Sequence, residues 1–194
     1  LKIVPRKRLD AYLSNGNAGI VLWVSPIFFN DVNRTRYSWT KTILEDEQSF
    51  ISRSNDPFIF KDAQSLIKSG FILGGVRGHV YKGIQKDIDN GLIKRNDVNS
   101  EKQNIGMLLN NRINTFLIPY TAMKYYEKTM DLSGLIYYSP KPLHTYTRHI
   151  LVNHNALVLK FLSEAVDELP NNEYWKVLLH QYNLKIASHK KLDY

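Results

Sequence analysis

Two stretches of the chain, residues 13–26 and 109–120, repeat one pattern of residue types. LSNGNAGIVLWVSP and LNNRINTFLIPY each run from a helix end through an Asn-containing turn and an apolar run to proline. A continuous apolar run between turn residues is typical of a strand buried on both faces of a parallel sheet. Proline then ends the strand, because it lacks the N–H that sheet pairing needs. The repeat predicts two α/β halves of similar construction, centred on residues 1–55 and 65–135.

Residues 71–81, FILGGVRGHVY, contain the candidate ligand-binding turn of the second half. An apolar run ends at Arg77-Gly78-His79 and an amphipathic segment follows to about residue 90, which predicts a buried strand, a tight turn and a helix. N–H groups at a helix start attract anions, Gly78 allows a close backbone approach, and Arg77 adds a cation. The turn is interpreted as a binding position for a carboxylate. An ordinary βα turn with a surface arginine explains the same residues.

The composition narrows the class of protein. The 194 residues include no cysteine and are 43% hydrophobic, which predicts a globular chain without disulfides or thiol chemistry. The formal net charge is +8, but Lys and Arg are scattered, with short clusters only at 5–8 and 188–191. A scattered excess of positive charge favours a role in solubility or a preference for acidic ligands over a nucleic-acid-binding face. No apolar run approaches the ~18 residues of a membrane span.

Motifs for metal binding and catalysis are missing from the sequence. The six histidines show no spacing typical of a metal site, and there is no nucleophile elbow, P-loop or dinucleotide motif. We therefore expect no metal, no cofactor and no catalytic residue. Several aromatic residues lie near predicted strand ends, where rings either contact a ligand or fill the core. They include Trp23, Trp39 and Tyr120.

An ordered series of segments resembles the extracellular solute-binding proteins of bacterial ABC transporters, most closely their polar-amino-acid group. The segments are IVPRKRLDAYLSNGNAGIVLWVSP, NRTRYSWT, SNDPF, SLIKSGFILGGVRGHVY, MLLNNRINTFLIPY and VLLHQYNL. The resemblance implies the type II periplasmic-binding-protein fold, an α/β fold of two lobes, each a mostly parallel sheet flanked by helices. It assigns residues 1–58 and 145–194 to lobe 1 and residues 59–144 to lobe 2, with hinges near 54–64 and 139–147.

Members of that family carry one more strand and helix before the segment that matches residues 1–4. The resemblance implies that lobe 1 lacks this unit, so that the chain is a fragment or a partner supplies the strand, for instance by strand exchange. The chain has no initiator Met and no visible signal peptide. We therefore expect a processed or truncated N-terminus from which the signal peptide has been removed. The oligomeric state stays open.

In lobe 1 the resemblance implies ligand contacts from a strand end, an aromatic position and an arginine that clamps a carboxylate. The matching residues are Trp23, Ser25, Arg34, Arg36 and Trp39. A guanidinium binds a carboxylate through two parallel hydrogen bonds. Neither Arg34 nor Arg36 has the family's spacing, and Thr40 replaces the usual serine, so the choice between the two arginines stays open.

In lobe 2 the implied contacts are Arg77, Gly78 and His79 at the turn, and the residue after the second buried strand. The family has an aspartate there, which holds the ligand amine. This chain has Tyr120 instead, which weakens the case for an ordinary α-amino acid.

These patterns predict a non-catalytic periplasmic solute-binding protein, not an enzyme. It would capture a small, polar, carboxylate-bearing, amino-acid-like solute in a cleft between the lobes for ABC uptake. The expected partners are that solute and an ABC-transporter permease, with no nucleic acid and at most peripheral membrane contact. The alternatives are an extracellular sensor module that signals through a partner, a ligandless structural relative, and an enzyme whose catalytic residues precede this chain.

Overall fold

The computed structural model describes residue 2 and residues 4–184. The chain forms two compact units. Unit 1 contains the described residues up to Asp46 and from Tyr146 onwards, and unit 2 is Glu47–Thr145. The chain passes between the units twice, each time within a strand. The functional lobe boundaries at 58/59 and 144/145 stay predictions.

The elements alternate between helix and strand through most of the chain. In chain order they are α1 (Arg6–Ser14), β1 (Gly19–Val24), β2 (Ser38–Trp39), β3 (Leu44–Arg53), α2 (Ala63–Ser69), β4 (Leu73–Val76), α3 (Gln85–Asp89), β5 (Arg95–Val98), α4 (Glu101–Leu109), β6 (Thr115–Pro119), α5 (Tyr120–Thr129), β7 (Ile136–Tyr138), β8 (Thr145–Asn153), α6 (Ala156–Glu168) and α7 (Glu173–Gln181). Short 3-10 turns lie at Pro26–Phe29 and Leu169–Asn171.

The sheet of unit 1 is antiparallel. β8 pairs with β1 on one side and β2 on the other. Among the described strands β1 has a neighbour on one side only, and its Ile20, Leu22 and Trp23 are exposed. The prediction that this apolar run is a strand buried on both faces of a parallel sheet is therefore wrong. Apolar composition alone does not show whether a strand has two neighbours or one.

The sheet of unit 2 is mixed and has a core on each face. β4 pairs parallel with β5 and β6, whereas β3 pairs antiparallel with β6 and β7. Successive strand residues point to opposite faces. Phe50 and Leu117 accordingly enter one buried cluster, and Ile51 and Phe116 enter the other. The buried strands predicted at the two apolar runs of this unit are confirmed.

Several helix ends are fixed by local capping interactions. Asp62 and Ser65 form a capping box at the start of α2, and Gly70 ends that helix in the left-handed conformation. Ser100 accepts a hydrogen bond from the Gln103 N–H at the start of α4. Local side-chain chemistry thus fixes these ends.

The helix predicted directly after residues 77–79 begins later than expected. α3 covers only Gln85–Asp89, and Gly83 before it has a φ of +92°. A positive φ cannot belong to a right-handed helix. Tyr81 and Ile84 turn into the core instead of continuing an amphipathic face. The prediction of a helix N-terminus at Gly78 is therefore wrong, and no helix dipole acts there.

Two predictions fall on residues that the structure leaves out. The lack of an apolar period after residue 184 predicts a loose tail, which lies outside the described residues. The apolar residues at 1–4 predict a short strand, of which Leu1 and Ile3 also lie outside the described residues. The described Lys2 and Val4 belong to no strand. Among the described helices, none combines the length and apolarity needed to cross a membrane.

Candidate functional site

Residues 30–40, the Arg34 loop, are organised around one buried carboxylate. The side chain of Asp31 accepts four hydrogen bonds, from the backbone N–H groups of Thr35 (2.9 Å), Arg36 (2.9 Å) and Tyr37 (3.0 Å) and from Nε1 of Trp39 (2.8 Å). Aspartate commonly binds N–H groups a few residues ahead of it and so closes a turn. The loop therefore has one defined conformation, although most of its side chains are exposed.

The charge of Asp31 is compensated by these donors. The residue is only 3% exposed. Burial alone would raise its pKa, but the hydrogen bonds from Trp39 and from the three backbone N–H groups outweigh burial and hold the pKa below its ordinary value. The carboxylate is therefore ionised at neutral pH.

Arg34 and Arg36, the two candidate clamp arginines, differ in their surroundings. Arg34 has a left-handed backbone with a φ of +54°, and its Nη2 lies 3.4 Å from Nε2 of His149. No acidic side chain among the described residues forms an ion pair with Arg34. The guanidinium of Arg36 lies over the ring of Tyr37, with Cζ 5.2 Å from its centroid. Arg34 thus lies beside a buried imidazole nitrogen, whereas Arg36 lies over an aromatic ring.

His149 lies fully buried on β8 behind Arg34. Its Nδ1 is 3.0 Å from the carbonyl oxygen of Thr40, and its Nε2 is 2.7 Å from Oγ1 of Thr147. The rings of Trp39 and His149 are nearly perpendicular, and their centroids are 6.2 Å apart. Burial lowers the pKa of His149 to about 4; the Thr40 hydrogen bond opposes this shift and the charge of Arg34 adds to it. The imidazole is therefore neutral at pH 7.

Trp23 and Ser25 lie at the end of β1. Ser25 is fully buried, and its Oγ has no hydrogen-bond partner among the described residues. Trp23 has a φ of +59°, and its ring stacks on Trp175 of α7 at 6.0 Å. Its carbonyl accepts a hydrogen bond from Nη1 of Arg148 at 2.7 Å. Trp23 is thus engaged with α7, at a point where the pairing of β1 shifts register.

Residues 76–81, the Gly78 turn, follow β4 in unit 2. Gly78 has a φ of +82°, and a Cβ at this position would meet nothing within 4 Å. The N–H of Arg77 donates to Val98 and the N–H of His79 donates to Val76. Two of the three backbone donors in the predicted anion site are therefore already bonded. The side chains of Arg77 and His79 are exposed.

Arg95 of β5 holds the Gly78 turn closed. Its Nη2 donates to the carbonyl oxygens of Val76 (3.0 Å) and His79 (3.1 Å), and its Nε donates to Oδ1 of Asp97 (2.7 Å). The guanidinium also lies 4.7 Å from the ring centroid of Tyr81. The turn is therefore fixed by a side chain from the neighbouring strand.

Tyr120 begins α5, directly after β6. Its ring centroid lies 5.6 Å from that of Tyr138, and Nζ of Lys124 lies within 5.3 Å of both ring centroids. Tyr138 donates a hydrogen bond to Oε2 of Glu127, which also pairs with Lys124. Burial, reinforced by Glu127, raises the pKa of Tyr138. The start of α5 therefore offers aromatic rings and an ammonium group.

The predicted site residues divide between the two units. Unit 1 contains Trp23, Ser25, Arg34, Arg36 and Trp39, and unit 2 contains Arg77, Gly78, His79 and Tyr120. The structure joins Arg36 and Trp39 through Asp31, and it joins Arg34 and Trp39 through contacts with His149. Within the described residues there is no cluster of three or more His, Cys, Asp or Glu that could hold a metal ion.

Sequence reasoning missed three residues that shape these sites, Asp31, Arg95 and His149. An aspartate before an Asn-Arg-Thr-Arg run is a local signal for a side-chain-capped turn, so Asp31 was detectable. Arg95 and His149 give no such signal, because their partners are distant in sequence. The contact between His149 and Arg34 spans 115 positions.

No protein-family model and no curated protein sequence matches this chain. Solved structures do match its fold. An ancestral arginine-binding protein bound to arginine aligns with a TM-score of 0.68 at 12% identity, covering 93% of this chain and 78% of its own. A binding component of an ABC transporter from Wolinella succinogenes, complexed with lysine, aligns with a TM-score of 0.69 at 14% identity, covering 98% and 80%.

The ligand-binding core of GluR0 from Nostoc punctiforme, in complex with L-glutamate, is also similar. It has a TM-score of 0.68 at 12% identity, over 94% of this chain and 81% of its own. Together these likenesses confirm the predicted α/β fold of type II periplasmic binding proteins. At such low identity the likeness concerns the fold alone.

Proposed function

We propose that this protein is a non-catalytic solute-binding protein that binds a small, amino-acid-like molecule through its carboxylate. The proposed location is the periplasm, and the proposed role is delivery of the solute to an ABC-transporter permease. The protein acts by binding and release, without chemical turnover. The position of the ligand between two lobes stays a prediction of the sequence resemblance.

The observation that carries the proposal is the state of Arg34. Its guanidinium is exposed, has no carboxylate partner among the described residues, and stands on a loop fixed by four hydrogen bonds to Asp31. A guanidinium presents five N–H donors in a planar fork that matches a carboxylate. Because the loop is already ordered, binding costs little conformational entropy.

The similar solved structures support the amino-acid-like character of the ligand. Their bound molecules are arginine, L-glutamate and lysine. All three carry an α-carboxylate and an α-ammonium group, and their side chains differ in charge. The carboxylate is thus one of two groups that these ligands share, and Arg34, a cation, is the residue that we assign to it.

The residues expected to receive the ligand amine differ from those that the family resemblance implies. Tyr120, Tyr138 and Lys124 lie where the resemblance implies an acid. Tyrosine faces attract cations, and the ammonium of Lys124 is paired with Glu127 at 2.7 Å, so that pair adds little net charge. We therefore expect these aromatic rings, and not an aspartate, to receive the ligand amine.

A calorimetric screen tests the proposal. L-Glutamate, L-glutamine, L-lysine and L-arginine are titrated into the protein, together with decarboxylated analogues such as agmatine. We expect micromolar binding, about −8 kcal/mol, of at least one carboxylate and none of its analogue. Arg34→Met is expected to weaken that binding at least about 30-fold, since losing a charged partner costs about 2 kcal/mol or more.

Lys160→Met on α6 is the charge-matched control. Lys160 is an exposed cation of the same unit, outside the Arg34 loop, so its loss lowers the net charge equally. The affinity of Lys160→Met for the same carboxylate should stay within about twofold of that of the unmodified protein, because salt screens an exposed charge outside the binding loop. Equal losses in both variants, or no carboxylate bound in the screen, would contradict the proposal.

A second candidate function is an extracellular sensor module. The observation that favours it is the likeness to the GluR0 ligand-binding core, which, unlike the protein from Wolinella succinogenes, is not named as a transporter component. The departure from the family pattern at Tyr120 points the same way. Co-purification from the native host separates the two: a permease as the bound membrane partner supports transport, and a signalling protein supports sensing.

A further inference from the structure

We infer that His149 is the positioning residue for Arg34: its Nε2 lone pair holds one edge of the guanidinium and leaves the other edge for the ligand carboxylate. The inference deepens the proposed function and rests on it for the ligand, but the contact between the two side chains can be tested without any ligand.

The proton on the imidazole can be placed from its neighbours. Nδ1 lies 3.0 Å from the carbonyl oxygen of Thr40, and a carbonyl oxygen can only accept a hydrogen bond. A neutral imidazole carries one proton, so Nδ1 carries it and Nε2 bears the lone pair. Nε2 is therefore an acceptor, directed at Arg34 and Thr147.

Two donors share that lone pair. Oγ1 of Thr147 lies 2.7 Å away and Nη2 of Arg34 lies 3.4 Å away. The Thr147 contact is a short hydrogen bond, and the Arg34 contact, longer than the usual limit of about 3.2 Å, is a weaker one to the same nitrogen. Because arginine has five N–H donors and uses one here, the rest of the fork stays available for a ligand.

The surroundings of His149 keep it neutral and immobile. The groups that face it are Arg34, the ring edge of Trp39, and the hydroxyl or backbone groups of Thr147, Thr40 and Lys41. Arg34 is the one charged side chain among them. Burial first, and then the charge of Arg34, keep the pKa of His149 at about 4, so Nε2 stays an acceptor throughout the neutral range.

The consequence is a guanidinium with a fixed orientation. A long arginine side chain loses rotational freedom when it binds a ligand, and this loss costs about 1 kcal/mol or more. A buried acceptor that fixes the side chain beforehand removes part of that cost. The Asp31 turn fixes the backbone of Arg34, and His149 fixes its side chain.

The ligand-independent test is nitrogen NMR of the His149 ring. In the unmodified protein at pH 7 we expect the neutral tautomer protonated at Nδ1. Arg34→Met should raise the pKa of His149, because a neighbouring positive charge is removed, and should shift the Nε2 signal. The inference would be overturned if the ring were protonated at Nε2. It would also be overturned if Arg34→Met changed neither the Nε2 signal nor the pKa of His149.

The ligand test compares His149→Leu with His149→Gln. Both variants remove the imidazole, but the glutamine oxygen can still accept from Arg34. With L-glutamate, L-glutamine, L-lysine and L-arginine as probes, His149→Leu should weaken the binding of any carboxylate that the unmodified protein binds by about tenfold, and His149→Gln should restore part of that affinity. A merely structural role would lower the melting temperature without changing the affinity, which would count against the inference.

The two tests separate the inference from the proposed function. If none of the four L-amino acids binds the unmodified protein, the proposed ligand class fails, and the NMR result alone decides whether His149 holds Arg34. If His149→Leu fails to fold, His149→Gln and the NMR titration of Arg34→Met still give a decision.

Discussion

At the scale of single residues, two buried ionisable groups, Asp31 and His149, support the Arg34 loop in opposite ways. Asp31 is buried as an anion because four N–H donors replace its water. His149 is buried as a neutral ring, with one nitrogen donating and the other accepting. An unsatisfied buried charge would destabilise the fold. The fold therefore requires an ionised Asp31, which has its four donors, and a neutral His149.

We predict that the stability of this protein falls in two steps as the pH is lowered. His149 has a pKa of about 4 in the folded state and 6.5 as the ordinary value, so the unfolded chain binds more protons between these limits. Stability therefore drops as the pH falls from 6.5 to about 4, by roughly 3 kcal/mol. His144, whose pKa burial and the charge of Lys82 also lower, acts in the same direction.

Asp31 acts at lower pH. Its folded pKa lies below 3.8, so its stabilising contribution is complete above that value and is lost as the pH falls through the folded pKa. Urea unfolding between pH 7.5 and 3 measures both steps. His149→Gln should flatten the first step and leave the second, and an unchanged first step would show that His149 does not cause it.

At the scale of elements, the packing of helix α4 on strand β4 depends on a missing side chain. A Cβ on Gly74 would lie 2.4 Å from Cδ1 of Ile113, 2.6 Å from Oδ1 of Asn104 and 3.0 Å from Cβ of Phe116. Asn104 of α4 uses the space to donate a hydrogen bond to the carbonyl of Gly75 at 3.2 Å. The double glycine of the apolar run is therefore a packing feature of unit 2.

We predict opposite effects for two glycine substitutions. Gly74→Ala should lower the free energy of unfolding by about 1–3 kcal/mol, because Ile113, Asn104 and Phe116 would all have to move. Gly106→Ala, inside α4 with nothing within 4 Å of the new Cβ, should raise it by about 1 kcal/mol. Denaturant titration measures both, and a Gly74→Ala variant as stable as the original would refute the close packing.

At the scale of the whole molecule, the two units differ in how their cores are built. Both large buried clusters lie within residues 47–145, whereas the smaller cluster of Leu13, Phe29, Tyr37 and Leu151 joins parts of the chain from both sides of that segment. Unit 2 is one continuous stretch of the chain, and all residues of its two buried clusters come from that stretch. Unit 1 depends on contacts between distant parts of the sequence.

We therefore predict that residues 47–145 fold when they are expressed alone. A domain of about 100 residues with a complete core should unfold cooperatively, with an enthalpy of roughly 60–80 kcal/mol at its midpoint. Calorimetry and dispersed amide NMR signals measure this. A broad transition without a heat-absorption peak would show that unit 2 needs the rest of the chain.

Predictions from the sequence were correct for elements that depend on residues close together in the chain and wrong for an element that depends on distant ones. The helical spacing of apolar residues at 6–14 predicts a helix, which is observed as α1, and the same spacing at 155–169 predicts an amphipathic helix, which is observed as α6. These elements are encoded by periodicity and by caps only a few residues away. The helix predicted after the Gly78 turn failed, because Tyr81 and Ile84 bury themselves in a core that forms from distant strands.

For the candidate site, the sequence indicated residue types and the structure decided their relations. Arg34 and Arg36 were equivalent candidates in the sequence, two positions apart. His149, brought to Arg34 by the pairing of β8 in the sheet, distinguishes them in the structure. Arg95 likewise reaches the Gly78 turn only because β5 pairs with β4.

The sequence by itself determined the α/β character, several helix ends and the absence of cysteine chemistry, because these depend on composition and on neighbours within one or two turns of the chain. Only the tertiary structure decided which arginine lies beside a buried acceptor. It also decided that β1, among the described strands, pairs along one edge only. Those features arise when strands far apart in sequence align, and the alignment depends on the packing of the whole unit, which no local pattern specifies.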